Sequence, residues 1–421
     1  MIETLRNAWK IPELRKKLMF TAMVLLLYRI GNVIPVPYIN VDMLGEYFSS
    51  VLGDTILGLY NAMSGSAFSQ GTVLALSIQP YINASIIIQL LTVAIPALER
   101  MAKEEGEEGK KKINMITRCT TVGLGLIMGW SFYVLLSTQQ ILTKSGFLPG
   151  LVIVLTFTAG SAVVMWLGEQ INEYGIGNGI SMILFANIIS SLPAGLNTML
   201  HMGWWAILVA VVMVALVLFI IFVNDAERRI PIQYAKRVVG RKIYGGQSTN
   251  LPIKVSMSGV MPVIFAQSIC SFPATICAFF GITAQSKIWW YDTFFSSTSV
   301  FYALMYGLLI FFFGWFYAAI QYDSTEISNN LKKNGGFIPG FRPGKPTADF
   351  IQKVINKIVV FGSAYLAIVA LLPIICGSFI PGAGSLAIGG TSVIIVIGVA
   401  LETVKAIEAQ MLMRHYKGFL D

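Results

Sequence analysis

Few side chains here are placed for covalent or acid–base chemistry. The two histidines, His201 and His415, lie far apart, one in a connection and one near the C-terminal tail. No paired carboxylates fall within the apolar stretches, and there is no HExxH, nucleophile elbow or phosphate-cradling loop. Cys119, Cys270, Cys277 and Cys376 lie within or beside apolar stretches at no metal-ligand spacing and read as small packing residues. These patterns argue against an enzyme and predict no cofactor and no metal. What remains is the physical chemistry of bent helices and apolar faces. Pro80 stands inside a long apolar stretch, where its ring removes a backbone donor and is expected to bend a helix. Ile78 and Ile82 flank it at i and i+4 and so point the same way, and Leu184 and Ile188 repeat that spacing. Every membrane helix contains such pairs, which mostly pack or face lipid, so spacing alone does not select these four.

The elements that must position these residues are membrane helices. Ten stretches are each long enough to span a bilayer: 17–38, 71–95, 114–138, 148–168, 179–199, 203–224, 256–281, 298–321, 354–376 and 390–412. Hydrophobic residues make up 55% of the chain and charged ones 12%, about half the share of a soluble domain. The mean hydropathy is +0.71. Only Lys144 and Lys287 fall in the connections of one side, and Arg29 lies inside the first stretch, where it is expected to snorkel to the nearby interface. All the other basic residues fall on the opposite side, which the retention of Lys and Arg during insertion marks as cytosolic. Both termini are then cytosolic, and the net charge of +9 belongs to that face. Residues 1–17 read as a basic amphipathic helix at the cytosolic interface rather than a cleaved signal.

Several connections have unusual content. Residues 97–113 read as a solvated charge cluster, and 169–178 as a short turn rich in glycine. Residues 225–254 and 322–353 form two long basic loops. A short linker at 193–203 divides the spans five and five, as inverted repeats would, although no repeat is visible in the sequence. Ahead of the second span, Leu57 to Ser69 is rich in Gly, Ser and Ala and too short and polar to cross. Irregular backbone at membrane depth needs a protein or aqueous lining, so this segment reads as re-entrant or as an ordinary helix at the outer interface. A secondary transporter would also use inverted halves and a broken helix, but such proteins usually carry ionisable groups at mid-membrane, and these spans hold almost none.

The runs GSAFSQG, PYINASIIIQLL, WLGEQINEYGIGNGIS, YAKRVVGRKIYGGQSTNLPIKV, NLKKNGGFIPGFRPG and IGGTS resemble the SecY family of bacterial protein-conducting channels, over essentially the whole chain. The resemblance implies an all-α polytopic fold: ten helices in two inverted halves, 1–200 and 201–421, around an hourglass pore. It implies transport of unfolded preproteins across the bacterial plasma membrane, with lateral release of apolar segments into lipid.

Carried over position by position, the pore waist is Ile78, Ile82, Leu184, Ile188, Ile264 and Ile395, with Leu184 standing where isoleucine is usual. The plug matches about 57–70, including Leu59, Asn61, Ser64, Gly65, Ala67 and Phe68. Its small residues suit loose packing. The family opens between spans two and seven, where Gln89, Thr92, Gln267 and Ser268 are candidate polar contacts. Arg241, Lys242 and Arg342 match docking loops for the ribosome and the SecA motor. Further implied partners are SecE, SecG, signal peptides and membrane lipid.

Overall fold

The computed structural model describes residues 2–52, 56–103, 106–200, 204–234, 237–239, 242–244, 248–257, 259–280, 289, 293–294, 299–379 and 384–417. Each of the ten expected stretches contains a helix. In order these are α2 (Pro12–Gly31), α5 (Gln79–Ala94), α7 (Gly106–Thr138), α8 (Phe147–Tyr174), α9 (Gly179–Leu200), α10 (Trp204–Asp225), α11 (Met261–Phe279), α12 (Val300–Gln321), α14 (Lys345–Phe379) and α15 (Gly384–Lys417). Shorter helices lie between or ahead of them: α1 (Ile2–Lys10), α3 (Val41–Tyr47), α4 (Ile56–Met63), α6 (Pro96–Lys103) and α13 (Ser324–Lys333).

Among the described residues, α7, α8, α10, α12 and α14 are each long and apolar enough to cross a membrane. α9 and α11 are shorter and apolar, and α5 with α6 forms a pair bent by 106°. α10 is the most lipid-like: Val211, Val214, Leu218 and Phe222 are all largely exposed on its surface. Such a continuous apolar face is compatible with hydrocarbon and not with water.

The second span departs from expectation. Thr72 to Ile78 is a run of turns, with Thr72 bridging to Pro35, and the helix starts only at Gln79. Pro80 therefore occupies the first helical turn, where its missing N–H would have no intrahelical partner anyway, and it starts the helix rather than bending it. The sharp bend falls instead at Pro96, which follows the end of α5.

The core is continuous through the interior. α11 packs against α5 and α7, and α15 against α9, so helices distant in sequence share one apolar cluster. A second cluster, centred on Phe132, Leu136 and Phe157, lies beneath α3 and α4. α1 does not simply lie along an interface. Its Ala8, with Leu14 of α2, packs on Ile176 and on Ile407 of α15. The 97–113 charge cluster is also mostly helical, its residues belonging to α6 and to the first turns of α7.

The two basic loops carry β-structure that the hydropathy pattern did not suggest. Strand β1 (Glu227–Tyr234) pairs antiparallel with β4 (Ser248–Lys254) and, on its other edge, with β5 (Gly336–Phe337) from the second loop. β2 (Arg237–Val239) and β3 (Lys242–Tyr244) pair antiparallel in a separate two-stranded sheet. Ile230, Ile232 and Ile253 point inward with Leu331, Ile338, Ile351 and Ile355, giving this region its own small core. The two loops are thus one unit joined to the base of α14.

Candidate functional site

Four helices bring the six expected waist residues together. Ile78 and Ile82 come from the start of α5, Leu184 and Ile188 from α9, Ile264 from α11 and Ile395 from α15. All are at most 2% exposed, and all belong to the same apolar cluster. Ile78 is the residue before α5, with φ −88° and ψ 1°, so its pairing with Ile82 is set by a helix start rather than by two helical turns. Buried branched side chains such as these offer no hydrogen bond to water or to an ion.

Directly against this knot lies the short helix α4. It ends at Met63, and the chain then turns through Ser64 to Gln70. The expected half-helix up to Ser69 is therefore shorter than foreseen, because Gly65 and Ser66 both take positive φ, of 67° and 66°, and stop it. The freed polar groups are satisfied locally. Ser64 Oγ accepts from Phe68 N at 3.2 Å, and Asn61 Oδ1 accepts from Ser69 N at 2.9 Å. Neighbouring elements hold the helix end as well. Asn187 Nδ2, one residue before Ile188, donates to Met63 O at 2.8 Å and to Ser77 Oγ at 3.2 Å. Tyr60 donates to Leu76 O at 2.9 Å, and Tyr28 shares a hydrogen bond with Ser77 at 3.0 Å.

The segment is not loosely packed, as its small residues had suggested. Phe68 stacks on Phe132 with ring centroids 4.1 Å apart, meets Phe48 edge-on at 5.2 Å, and tilts against Tyr60 at 4.8 Å. Ala67 is fully buried. The side chain of Leu59 lies outside the described residues. Arg29 also behaves differently from expectation. Its Nη1 is buried and faces Gly65 instead of reaching for the interface.

Between α5 and α11 one polar contact joins the expected Ser268 to a residue that sequence reasoning missed. Gln79 Nε2 donates to Ser268 Oγ at 3.0 Å, and both residues are buried. Gln79 stands beside Ile78, and the signal for it was there to be read: a buried amide at the first turn of a proline-started helix. Gln89 and Thr92 lie roughly 15 Å or more further along α5. Thr92 turns back to its own helix, donating to Gln89 O at 2.7 Å. Gln267 is buried with its Oε1 lacking a hydrogen-bond partner.

On the basic-loop side, between α9, α11 and α15, lies a cavity of 330 Å³, lined by residues that include Asn178, Lys254, Tyr322, Glu402 and Lys405. Burial pushes the Tyr322 phenol above its ordinary range, so it stays neutral at physiological pH. Lys405 pairs with Asp225 at 2.8 Å and ties the end of α10 to α15. Beyond the cavity, Arg342 is exposed at the tip of the second loop. The loop is held open on a fixed frame. Gly340 has φ 90°, Thr347 Oγ1 donates to Arg342 O at 2.8 Å, and Phe341 packs on Phe350 at 4.3 Å. Arg241 lies outside the described residues. Lys242 begins β3, and its side chain is likewise outside the described set.

The comparisons with known proteins decide the family. A family model for SecY matches residues 72–404. The chain is 42% identical to protein translocase subunit SecY of Streptomyces scabiei, over all of both chains. It belongs to the SecY family. The translocase subunit SecY of Thermotoga maritima is 41% identical, covering all of this chain and 98% of that one. In fold, this SecY-family chain aligns with a solved protein-conducting channel at TM-score 0.67, with 19% identity over 97% of each chain. It also aligns with Sec61 in the canine ribosome–channel complex from the endoplasmic reticulum, at TM-score 0.63 and 17% identity over 97% of each chain. The chain is a polytopic membrane subunit of a protein translocation channel and not an enzyme.

Proposed function

We propose that the knot formed by Ile78, Ile82, Leu184, Ile188, Ile264 and Ile395 is the waist of the channel, and that α4 with the turns up to Gln70 is its plug. One observation carries this reading: six buried branched side chains from four helices belong to one apolar cluster, and α4, which packs on three of those helices, has its end held by Asn187 and Tyr60. An apolar constriction resists wetting, so it blocks ions. It also offers no hydrogen bonds to a passing chain of any sequence, and branched side chains part around such a chain and close behind it.

The gate for lateral release runs between α5 and α11, and the Gln79–Ser268 hydrogen bond is its described polar tie. Interhelical bonds in membranes average about 0.6 kcal/mol, weak enough for an intercalating apolar signal helix to displace. The paired halves are 1–200 and 201–421. The basic loops face the cytosol with both termini, in accord with the distribution of Lys and Arg. There they meet the ribosome and the SecA motor, with Arg342, Arg241 and Lys242 offered to phosphates or carboxylates. SecE and SecG complete the complex, by the family resemblance.

The deciding experiment is electrical. The complex in a planar bilayer is expected to be silent when intact and to conduct when residues 60–69 are deleted. Silence from both, with insertion confirmed, would remove the plugged pore from the mechanism and revive a transporter reading.

A further inference from the structure

The N-terminal and C-terminal spans meet along two seams. On the gate side, α5 and α7 face α11; on the other, α9 faces α15. A body that parts along one seam turns about the other, so the α9–α15 seam has to hold while the gate opens. Its basic-loop end is closed by direct contact. Thr403 Oγ1 of α15 lies 3.5 Å from Met182 Sδ of α9, and a Cβ placed on Gly177 would stand 3.4 Å from the same hydroxyl.

α1 covers this place. Ala8 is fully buried, and with Leu14 it packs on Ile176, in the turn before α9, and on Ile407 of α15. Ile11, Ala406 and Met411 pack around the contact. A side chain as small as alanine lets two helices approach closely. α1 itself is tied to the first half. Its chain continues through Ile11 into α2, with Arg15 N donating to Ile11 O at 2.9 Å, and α2 packs on α8 and α9. Thr21 Oγ1 accepts from Ile176 N at 3.2 Å and fixes the turn against α2. The contact between Ala8 and Ile407 therefore crosses from one half to the other. A basic helix with Arg6, Trp9 and Lys10 on its exposed side could lie on a lipid surface without touching α15 at all. Its fully buried Ala8 is what such a helix does not need.

We infer that α1 is a strap: it binds the first half to α15 at the basic-loop end of the seam opposite the gate, and it stays in place while the gate opens. This rests on the reading that the halves part between α5 and α11, and it goes beyond that reading by assigning the fixed side of the movement. With the strap in place, a helix that pushes between α5 and α11 spreads the gate. Without it, the same push also spreads α9 from α15, and less of the movement reaches the gate.

The test uses the full complex in reconstituted vesicles and a short bifunctional thiol reagent, with each single substitution treated alike as the control. In the Ala8→Cys, Ile407→Cys pair the reagent is expected to join α1 to α15 and to leave secretion and lateral release at the parental rate, because a contact that never parts can be tied without harm. In the Gln79→Cys, Ser268→Cys pair it stops both. Ala8→Glu sets a carboxylate in the buried contact, drives α1 off α15 and is expected to lower secretion several-fold, whereas Ala8→Ser keeps the parental rate. The tether introduces no buried charge and decides the matter if Ala8→Glu fails to insert. Secretion lost on joining Ala8→Cys to Ile407→Cys, a pair that does not join, or an inserted Ala8→Glu channel at the parental rate would overturn the strap and leave the gate standing. A joined gate pair that still secretes and releases would overturn the gate reading, and the strap with it.

Discussion

At the scale of single residues, the segment proposed as the plug is held by aromatic side chains, Phe68 above all, as well as by its small neighbours. Phe68 is buried against Phe48, Tyr60 and Phe132, and Phe132 in turn packs on Phe157 at 5.1 Å. Removing such a ring costs about 3–5 kcal/mol in a packed core. That loss falls on the closed state, because the cluster breaks when the plug leaves. Phe68→Ala is therefore expected to raise the resting conductance of the intact-length channel and to admit weaker signal sequences, with insertion unchanged. A resting current equal to that of the parent would place the anchor elsewhere. The residue scale also marks where the sequence misled. Gly, Ser and Ala dominate the segment by number, while the large buried side chains Leu57, Tyr60, Met63 and Phe68 anchor it.

At the scale of elements, hydropathy made the helices legible, each of the ten apolar stretches containing one, because apolar runs of span length have few other uses. Their starts were less legible. Pro80 reads equally as a kink or as a first-turn residue, and only the turns from Thr72 to Ile78, held by Val73 N to Ile34 O at 2.9 Å, decide between them. That shift places Gln79, which was not among the expected contacts, against the expected Ser268. The strands of the basic loops were hidden by their charge, although the alternation Ile230, Pro231, Ile232 carried a period-two signal. Their pairing has a consequence. β5 fixes the start of the second loop on β1, and Ser328 Oγ donates to Gly344 O at 2.8 Å, so Arg342 is presented by a braced loop and not by a free one. A braced guanidinium loses less freedom on docking. Arg342→Glu is expected to depress motor-driven export at least tenfold, the scale of a lost charge-assisted contact, while the protein still inserts and assembles. Export at the parental rate in reconstituted vesicles would take this loop out of the motor interface.

At the scale of the whole molecule, the same helices serve two openings. On the proposed reading, α5 and α11 each contribute to the waist, through Ile78, Ile82 and Ile264, and each borders the lateral gate, where Gln79 bonds Ser268. Gln79 adjoins Ile78, so separating α5 from α11 at the gate must also pull on the waist and on the plug below it, through Ser77 and Asn187. A packed interior passes such a displacement on rather than absorbing it. Entry of a signal helix and unplugging of the pore are then one movement, not two. Tethering the two helices tests this coupling. In the Gln79→Cys, Ser268→Cys pair, a short bifunctional thiol reagent is expected to stop both the release of apolar segments and the passage of secreted chains, and reversal of the tether restores both. Loss of lateral release alone, with secretion intact, would show that the waist and plug open without the gate, and the two functions would have to be assigned to separate movements of the helices.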